Sequence, residues 1–437
     1  MKQGTGQKLW EKAKTLIPGG NQLLSKRAEL FAPEQWPAYY SRAEGASVWD
    51  LDGKKYLDML NMGIGSCMLG YADPDVNVAV IDAVKRGTMS TLNCPQEVEL
   101  AELLLELHPW AGMVRYARTG GESMAIAARI ARAYTDRDTI AFCGYHGWAD
   151  WYLATNLQTK DALADHLLAG LEPRGVPKGL AGSIVPFHYN KIEELEAIVA
   201  KTPDLAAIIM EPMHGEYPKD DFLQKVRAIA NKTGAVLVFD EITIGFRLTV
   251  GGAHLVLGVE PDIAIFAKGM SNGYPMAAIV GRSEVMQAAQ DTFISSTYWT
   301  ERIGPSATLA AIKKMQKVNL PEHLASVGGK IKKIWDEAGK RHGLAVTSSE
   351  VLPLLFFTFP GPDAAAQKTL YVQEMLKRGI LATNQFYASY AHTDEHIVTY
   401  EKALKEVFSI IAKATEGGTL LTLLKGPVAH SGFERLN

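Results

Sequence analysis

The sequence predicts an α/β fold built on a mostly parallel sheet with helices on both faces. Short apolar runs with the length of buried strands alternate with amphipathic helical patterns along most of the chain. With 437 residues, the chain is also too long for one ordinary hydrophobic core, so more than one lobe is expected. A hydrophobic share of 47% is typical of a globular protein that can bury a deep site.

Charge and cysteine content exclude several classes of function. A net charge of -3 and a charged share of 21% are neither basic enough for a nucleic-acid partner nor acidic enough for a disordered chain. The three cysteines, Cys67, Cys94 and Cys143, are scattered without CxxC spacing. We therefore expect reduced thiols, as in the cytosol, and neither a disulfide framework nor a metal site.

The start of the chain predicts no targeting segment. The N-terminal residues MKQGTGQKLWEKAK form an amphipathic pattern that lacks the continuous apolar stretch of a signal peptide. No apolar run reaches the length that spans a bilayer. We therefore expect a cytoplasmic protein without a membrane partner.

The N-terminal segment is predicted to hold a helix and a small sheet. Apolar residues at helical spacing predict a helix over 5–17. The loop that follows contains Lys26 and Arg27, which fit either a solvated loop or the capture of an anion or carboxylate at the mouth of a site. Residues 46–60 predict a hairpin, because an Asp-Gly pair between two apolar runs is the signal of a type I′ turn.

Helices and strands alternate through the rest of the chain. The predicted helices cover 74–86, 96–108 and 222–233, and the predicted strands cover 113–117, 139–142, 205–210, 236–239, 263–267 and 277–280. Residues 155–185 predict an irregular excursion, a candidate lid. Residues 311–415 predict a smaller lobe, and the tail at 416–437 fits either fraying or docking on a neighbouring chain.

Two of the predicted strands end in ionisable residues. The run 236–239 is followed by Asp240, and the run 263–267 by Lys268. In open α/β sheets ligands bind at the carboxyl edge, so these two groups can reach one small molecule from neighbouring strands. Pyridoxal phosphate (PLP) requires such a pair, a lysine that forms a Schiff base and an acid that keeps the pyridine nitrogen protonated. Two solvated strand ends are the competing interpretation of the same residues.

A glycine-containing turn follows the predicted strand at 113–117. Thr119, Gly120, Gly121 and Glu122 place N–H groups at a helix N-terminus, where glycines let an anion approach closely. The turn predicts a phosphate cradle, although a plain strand-to-helix turn has the same appearance. It matches neither a Walker A loop nor a GxGxxG fingerprint, so nucleotide and dinucleotide binding lose their main support.

Aromatic and polar residues mark the rest of the predicted site. Tyr145 and His146 follow the strand at 139–142, where an aromatic side chain can cover a flat ring. Glu211 closes the strand at 205–210. The segment 294–306 mixes polar and aromatic residues before a long helix, which favours a site segment over a core segment.

Several motifs, taken together, resemble one enzyme family. DEITIGFR contains Asp240, FAKGMSNGYP contains Lys268, and TGGES, GYHG and EP lie upstream. The set resembles the class III aminotransferases of PLP fold type I, and IPGG, MVRYARTGGES and DEITIGFR are similar to the glutamate-1-semialdehyde aminomutase branch. The resemblance implies a large PLP-binding domain at 61–310 with a mostly parallel seven-stranded sheet. It also implies a smaller α/β domain from an N-terminal segment at 1–60 and a C-terminal segment at 311–437.

The resemblance implies a role for each matching residue. Lys268 corresponds to the lysine that binds PLP and moves the proton, Asp240 to the partner of the pyridine nitrogen, and Tyr145 to the aromatic that stacks on the ring. The other implied cofactor contacts are Thr119, Gly120, Gly121, His146, Glu211 and Ile242. Thr297 corresponds to a threonine that reaches the phosphate from the partner subunit, which implies a homodimer with shared active sites.

Departures from the aminomutase pattern bear on the substrate. The turn reads TGGES where that branch has SGTEA, and STYWTER stands where a small-residue run is expected. A bulkier, more polar pocket suits a polyhydroxylated acceptor, and the candidate substrate contacts are Lys26, Arg27, Trp299, Glu301 and Asn384. These features resemble transaminases of surface-polysaccharide (lipopolysaccharide) biosynthesis. In particular, they resemble the branch that makes 8-amino-3,8-dideoxy-manno-octulosonate from the 8-aldehyde with glutamate as donor.

Two other functions remain open from the sequence. One is a glutamate-1-semialdehyde 2,1-aminomutase, which needs no external amino donor. The other, from a different class, is a non-catalytic PLP-fold regulator, and the presence of Lys268 and Asp240 without an added DNA-binding pattern argues against it. The sequence does not determine the donor, the length of the acceptor, or the choice between dimer and tetramer.

Overall fold

The chain forms two compact units in a computed structural model, which describes residues 4–167, 169–202, 204–213, 215–433 and 436. One unit combines the residues up to Asp73 with those from Glu322 onward, and the other is Pro74–Pro321. The domain bounds expected from the sequence remain a prediction.

The helices of the described residues follow the predicted alternation. In chain order they are α1 (Thr5–Leu16), α2 (Pro74–Lys85), α3 (Gln96–Leu107), α4 (Gly120–Thr135), α5 (Asp150–Leu153), α6 (Thr155–Gln158), α7 (Ile192–Lys201), α8 (Phe222–Thr233), α9 (Ala253–Leu257), α10 (Ser283–Met286), α11 (Ile303–Lys317), α12 (Leu320–His342), α13 (Ala364–Lys377), α14 (Asp394–Glu416) and α15 (Leu420–Leu423). The helices predicted over 74–86, 96–108 and 222–233 are confirmed to within one residue at each end.

The strands agree with the predicted apolar runs. In chain order they are β1 (Tyr40–Glu44), β2 (Ser47–Asp50), β3 (Lys55–Asp58), β4 (Met113–Ala117), β5 (Ile140–Cys143), β6 (Ile184–Pro186), β7 (Ala207–Met210), β8 (Val236–Asp240), β9 (Ile263–Phe266), β10 (Ala277–Gly281), β11 (Thr347–Ser348), β12 (Leu354–Thr358), β13 (Ile380–Leu381) and β14 (Gln385–Tyr387). Short 3₁₀ turns lie at Leu24–Lys26, Ala28–Leu30, Lys178–Leu180, Lys268–Ser271, Gln287–Gln290 and Thr297–Thr300.

The second unit is built on a seven-stranded sheet. Its strand order is β4-β10-β9-β8-β7-β5-β6, and β10 runs antiparallel to both of its neighbours while the other pairs are parallel. The mostly parallel seven-stranded sheet expected from the sequence is therefore present. Because β10 is antiparallel to both β4 and β9, the strands β4, β9, β8, β7 and β5 all end at the same edge.

The sheet of this unit is covered on both faces. Every residue of β5, β7, β8, β9 and β10 is buried, which explains why continuous apolar runs identify these strands. Alternate strand residues belong to two hydrophobic clusters, one that includes helix α4 and one that includes helix α8. Rigid packing on both sides holds the strand ends that carry the predicted site.

The first unit joins the two ends of the chain around two small sheets. One has the order β1-β2-β3-β13, with β13 parallel to β3, and the other is the antiparallel set β11-β12-β14. Buried aromatic residues form part of its core, where Trp335 Nε1 donates to Tyr400 Oη (2.7 Å) and the hydroxyls of Tyr371 and Tyr400 lie 2.8 Å apart. This arrangement agrees with the smaller α/β domain expected from N- and C-terminal segments.

The turn of the predicted hairpin differs from expectation. Residues 51–54 separate β2 and β3, and Gly53 has a φ of +80° whereas Asp52 has no positive φ. A type I′ turn requires positive φ at both central residues, so that prediction is wrong. The cause is Asp50, whose Oδ1 accepts the N–H groups of Asp52 (3.0 Å) and Lys54 (2.9 Å) and closes a wider loop.

The excursion predicted over 155–185 contains little regular structure among its described residues. Helix α6, the turn at Lys178–Leu180 and the start of β6 are its regular elements. His166, which lies within it, is buried, and its Nδ1 accepts the N–H of Gly144 (3.3 Å). The excursion therefore contacts the strand end that precedes Tyr145, while its motion as a lid remains a prediction.

Two predictions about the whole chain can be compared with the described residues. The thiols of Cys67, Cys94 and Cys143 are all free. No helix of the described part of the chain is long and apolar enough to cross a membrane.

Candidate active site

Five strands of the second unit bring the predicted site residues to one edge of its sheet. Strand β8 ends in Asp240, and Lys268 follows its parallel neighbour β9. Tyr145 follows β5, Glu211 follows β7, and Thr119 follows β4. Parallel strands end at a common edge, so these residues meet although they are far apart in the sequence.

Asp240 lies in a buried hydrogen-bond chain with His146. Its Oδ2 is 2.9 Å from His146 Nδ1, and its Oδ1 accepts the N–H of Ile242 (3.0 Å). His146 Nε2 is 3.0 Å from the carbonyl oxygen of Cys143 and carries a proton, because a carbonyl can only accept. Burial raises the pKa of the Asp240 carboxyl, and the hydrogen bond with His146 acts in the opposite direction. One shared proton therefore decides whether Asp240 faces the site as a carboxylate.

Lys268 begins a 3₁₀ turn directly after β9 and holds its amine inside the site. Its Nζ donates to Thr243 Oγ1 at 2.7 Å. Burial lowers the pKa of the Lys268 amine, although the charges of Asp240 and Glu211 act in the opposite direction. Lys268 also has a φ of +47°, a strained conformation that costs about 1–3 kcal/mol and that the surrounding structure must maintain. A buried amine with a lowered pKa is available as a nucleophile more readily than a solvated lysine.

Helix α4 begins at the glycine-containing turn with a complete capping box. Thr119 Oγ1 accepts the N–H of Glu122 (3.4 Å), and the Glu122 carboxylate accepts the N–H groups of Thr119 (2.9 Å) and Arg118 (3.1 Å). Among the hydrogen bonds of the described residues, none uses the N–H groups of Gly120 and Gly121. These two groups remain available at the N-terminus of a 16-residue helix, where the dipole favours an anion.

Both glycines of this turn are packed against other parts of the site. A Cβ atom on Gly120 would lie 2.9 Å from Ile242 Cδ1, and one on Gly121 would lie 2.9 Å from Trp148 Nε1. A Cβ atom at either position would therefore force the turn or the facing side chain of Ile242 or Trp148 to shift. Ile242, two residues after Asp240, lies directly beside this glycine-containing turn.

The segment after β5 is held from both sides. Tyr145 donates its N–H to Glu211 Oε2 (3.4 Å), and Tyr152 Oη donates to the carbonyl of Gly144 (2.9 Å). The Tyr145 side chain is 43% exposed, so its ring has room for a flat molecule, whereas His146 is fully buried. His146 thus contacts Asp240 from a buried position, while part of Tyr145 is accessible.

Arg118 connects the glycine-containing turn to the segment that contains Trp299 and Glu301. Its guanidinium pairs with the Glu301 carboxylate (Nε–Oε1 2.9 Å) and donates to the carbonyls of Trp299 and Glu301, both at 2.9 Å. Glu301 also accepts the N–H of Gly304 (2.8 Å) in the first turn of α11, and the Trp299 side chain packs against the cluster that includes α4. Both side chains thus have structural partners, and their contact with substrate remains a prediction.

The remaining predicted residues lie in exposed or separate positions. Thr297 is exposed, and its reach to the phosphate of a partner subunit remains a prediction. Lys26, Arg27 and Asn384 belong to the first unit. There the Arg27 guanidinium lies 5.9 Å from the ring centre of Phe433, and Asn384 Nδ2 donates to a main-chain carbonyl of β12 (2.9 Å). Their contacts with substrate remain predictions.

Sequence reasoning did not foresee two of the contacts in the site. Thr243 lies within DEITIGFR, but a motif does not show which side chain of the loop faces the amine of Lys268. Arg118 precedes TGGES directly, and this position is the only signal in the sequence that singles it out. Both contacts depend on the folded sheet edge.

A comparison with models of protein families identifies the chain. Residues 31–414 match the family described as aminotransferase class-III, and this range contains Asp240, Lys268 and the glycine-containing turn at 119–122. The chain belongs to the class III aminotransferases. This class III aminotransferase is therefore an enzyme that carries out PLP-dependent transamination.

Relatives of this aminotransferase extend over nearly its whole length. The 3-aminobutyryl-CoA aminotransferase of Cloacimonas acidaminovorans is 31% identical over 94% of this chain and 99% of its own. The glutamate-1-semialdehyde 2,1-aminomutase of Francisella tularensis is 33% identical over 88% of this chain and 90% of its own. The solved structure of the FumI protein of Sphingopyxis sp. MTA144 in a PLP form has a TM-score of 0.84 at 25% identity and covers 94% of this chain and 98% of that one. The likeness confirms the predicted fold type I arrangement.

The cofactor of this aminotransferase is pyridoxal phosphate. The residues at the sheet edge fit it, because the site offers a buried carboxyl for a ring nitrogen, a buried amine for an aldehyde and an open aromatic face for a ring. The available N–H groups of Gly120 and Gly121 fit a phosphate.

Proposed function

We propose that this enzyme moves an amino group from an amino-acid donor to a separate carbonyl acceptor, with Lys268 and Asp240 as its central residues. One observation carries the proposal. A buried amine and a buried carboxyl lie at the ends of two adjacent parallel strands, beside a helix N-terminus with two available N–H groups. When bound, pyridoxal phosphate supplies an electron sink for the carbon that loses its proton.

The central residues are proposed to hold or move defined groups. Lys268 Nζ takes a proton from the substrate carbon, because burial favours its neutral form. The Asp240 carboxylate keeps the ring nitrogen protonated, and His146 holds Asp240 through a hydrogen bond. The N–H groups of Gly120 and Gly121 bind the phosphate.

The walls of the site are proposed to position the ring. Tyr145 would hold one face of the ring, and Ile242 would hold the other. Glu211 holds the main chain of Tyr145 through its N–H. Thr297, which is exposed, is proposed to bind the phosphate of a partner subunit, so that the enzyme is a homodimer with two shared sites.

The proposed acceptor is a sugar-acid aldehyde of the 8-oxo-3,8-dideoxy-manno-octulosonate type, with glutamate as the proposed donor. The polar and aromatic composition of residues 298–302 supports an acceptor with several hydroxyls. Lys26 and Arg27 are the candidate partners of its carboxylate.

A second candidate acceptor is a 3-oxo acyl thioester. The relative named 3-aminobutyryl-CoA aminotransferase aligns over 99% of its own length, and the name places the amino group on the third carbon.

A half-reaction screen separates these candidates. Enzyme in its amine-loaded form is mixed with the octulosonate aldehyde, with 3-oxobutyryl-CoA or with glutamate-1-semialdehyde, and return of the visible cofactor band reports the acceptor. We expect the sugar aldehyde to restore the band, and glutamate to release one 2-oxoglutarate per amine transferred. Failure of the sugar aldehyde together with success of the thioester would replace the first acceptor by the second. Isomerisation of glutamate-1-semialdehyde at high turnover without an external donor would contradict the two-substrate proposal and favour the aminomutase.

A further inference from the structure

Thr243 lies on the loop after β8 and touches the amine of Lys268. Its Oγ1 is 2.7 Å from Lys268 Nζ, across a separation of 25 residues in the sequence. Both residues belong to the second unit. Thr243 lies three residues after Asp240, and Lys268 lies two residues after the end of β9. Thr243 is therefore the neutral polar partner of the reactive amine.

The loop that carries Thr243 is anchored. The carboxylate of Glu241 accepts hydrogen bonds from the main-chain N–H groups of Ala253 (2.8 Å) and His254 (2.9 Å) and from the ring Nδ1 of His254 (2.8 Å). These bonds connect the start of the loop to α9. Arg247 Nε donates to the carbonyl of Thr243 at 2.7 Å. Four hydrogen bonds thus hold the main chain that presents the Thr243 hydroxyl to Lys268.

Charged groups face the Lys268 amine from several elements. Asp240 at the end of β8 and Glu211 after β7 raise its pKa, and Arg247 on the loop after β8 lowers it. Burial has the largest effect and lowers the pKa. Asp240 is linked in turn to His146, so a proton on that pair changes the field at the amine.

A hydroxyl differs from these charged groups because it can both donate and accept. A carboxylate can only accept and a guanidinium can only donate. The Thr243 hydroxyl can accept a hydrogen bond from the ammonium form of Lys268 and donate one to the lone pair of the neutral amine. Hydrogen bonds to a charged group are the stronger ones, so the hydroxyl stabilises the ammonium more than the amine.

We propose that Thr243 holds the Lys268 amine in both of its protonation states and thereby sets the pH at which that amine becomes reactive. Thr243 is a positioning residue, because it acts through Lys268. The proposal rests on the proposed role of Lys268 as the residue that binds the cofactor.

The test uses the apoenzyme. Thr243→Val removes the hydroxyl at nearly constant volume, and Thr243→Ser restores it. The rate constant for covalent uptake of pyridoxal phosphate is measured from neutral to alkaline pH. As a second readout, the rate at which a small amine-reactive reagent alkylates Lys268 is followed by peptide mass. We expect the midpoint of both pH profiles to fall by about one pH unit in Thr243→Val and to remain at the wild-type value in Thr243→Ser.

Controls separate the possible failures. Thr308→Val also removes a buried hydroxyl, one that donates to the carbonyl of Gly304, and it should leave the midpoint unchanged. Thr243→Ala serves as a second hydroxyl-free variant if Thr243→Val does not fold. An unchanged midpoint in the hydroxyl-free variant, or a shift that serine does not reverse, overturns the role of Thr243. Covalent uptake by Lys268→Ala at the wild-type rate would instead overturn the proposed function.

Discussion

The role proposed for Asp240 requires a charged carboxylate at a position where burial disfavours charge. Burial raises the pKa of its carboxyl, and His146 and the N–H of Ile242 are the hydrogen-bond partners that act against this effect. The same carboxyl is proposed to keep a ring nitrogen protonated. At the scale of single residues, the proposed chemistry therefore depends on how Asp240 and His146 share one proton.

Replacement of Asp240 by asparagine is predicted to affect catalysis far more than folding. The amide still has an oxygen for the N–H of Ile242, but it cannot hold a positive ring nitrogen. We expect the rate of the first half-reaction at saturating donor to fall by about 10²-fold or more. The melting temperature of the apoenzyme should stay equal or rise, because a buried carboxyl with a raised pKa is removed. Rapid mixing and calorimetry measure the two quantities, and a loss of activity below tenfold would contradict the role of Asp240.

At the scale of elements, helix α4 is expected to bind the phosphate through its first turn. Gly121→Ala would bring a Cβ atom to 2.9 Å from Trp148 Nε1, so the turn or the exposed Trp148 indole must shift. We expect the dissociation constant for pyridoxal phosphate to rise about tenfold or more, while that for phosphate-free pyridoxal changes little. Fluorescence titration of the apoenzyme with both ligands checks this.

The matched control for this experiment lies in another helix. Gly329 is on α12, and a Cβ atom there would meet nothing within 4 Å. Gly329→Ala should leave both dissociation constants unchanged. Equal losses for the two ligands in Gly121→Ala would point to general damage rather than to a phosphate contact.

The end of helix α3 is tied to the loop before α9 by a buried histidine. His108 Nδ1 donates to the carbonyl of Leu104 (2.8 Å), and its Nε2 accepts the N–H of Gly252 (3.1 Å), so the folded state needs the neutral ring. Burial lowers the pKa of His108 to about 4. The unfolded chain therefore binds a proton that the folded chain does not, and stability is lost as pH falls from about 6.5 towards 4.

His108→Gln is predicted to weaken this acid sensitivity. Glutamine has one acceptor and one donor for the same two partners, but it does not titrate. Between about pH 7 and about pH 5, the wild-type enzyme should lose about 2 kcal/mol more stability than the variant. Thermal unfolding at the two pH values measures the difference, and identical pH dependence of both proteins would contradict the assignment.

The strands of the large sheet could be predicted because they are buried on both faces. The runs at 236–239 and 263–267 contain no polar residue until Asp240 and Lys268, and the strands end within one residue of the predicted positions. The hairpin turn could not be predicted, because the side chain of Asp50 competes with the local preference of an Asp-Gly pair. Side-chain bonds to the main chain override turn statistics in this way.

The sequence singles out candidate site residues where a motif carries chemistry, but it does not show which distant residues meet. Asp240, Lys268 and the glycines of the turn are recognisable by type and spacing. The contact of Arg118 with Glu301 spans 183 residues, and that of Thr243 with Lys268 spans 25, so each follows from the strand order. Local sequence patterns do not show which residues far apart in the chain come into contact.

At the scale of the whole molecule, the proposed homodimer predicts complementation between inactive variants. Lys268→Ala removes the amine from its own site, and Thr297→Asp is expected to repel the phosphate in the partner's site. A mixed dimer of the two variants has one site with both defects and one with neither. After subunit exchange we expect activity to return to a substantial fraction of the wild-type value, measured with the best donor and acceptor. A mixture as inactive as its components, although mixed dimers form, would contradict shared sites.

The central claim is that Lys268 is the residue that binds pyridoxal phosphate at the sheet edge. The most direct measurement is to load the enzyme with the cofactor, reduce it with borohydride, digest it and locate the phosphopyridoxyl group by peptide mass. We predict that the label lies on Lys268 alone and that Lys268→Ala carries none. A label on another lysine, or no stable label on the wild-type enzyme, would contradict the account.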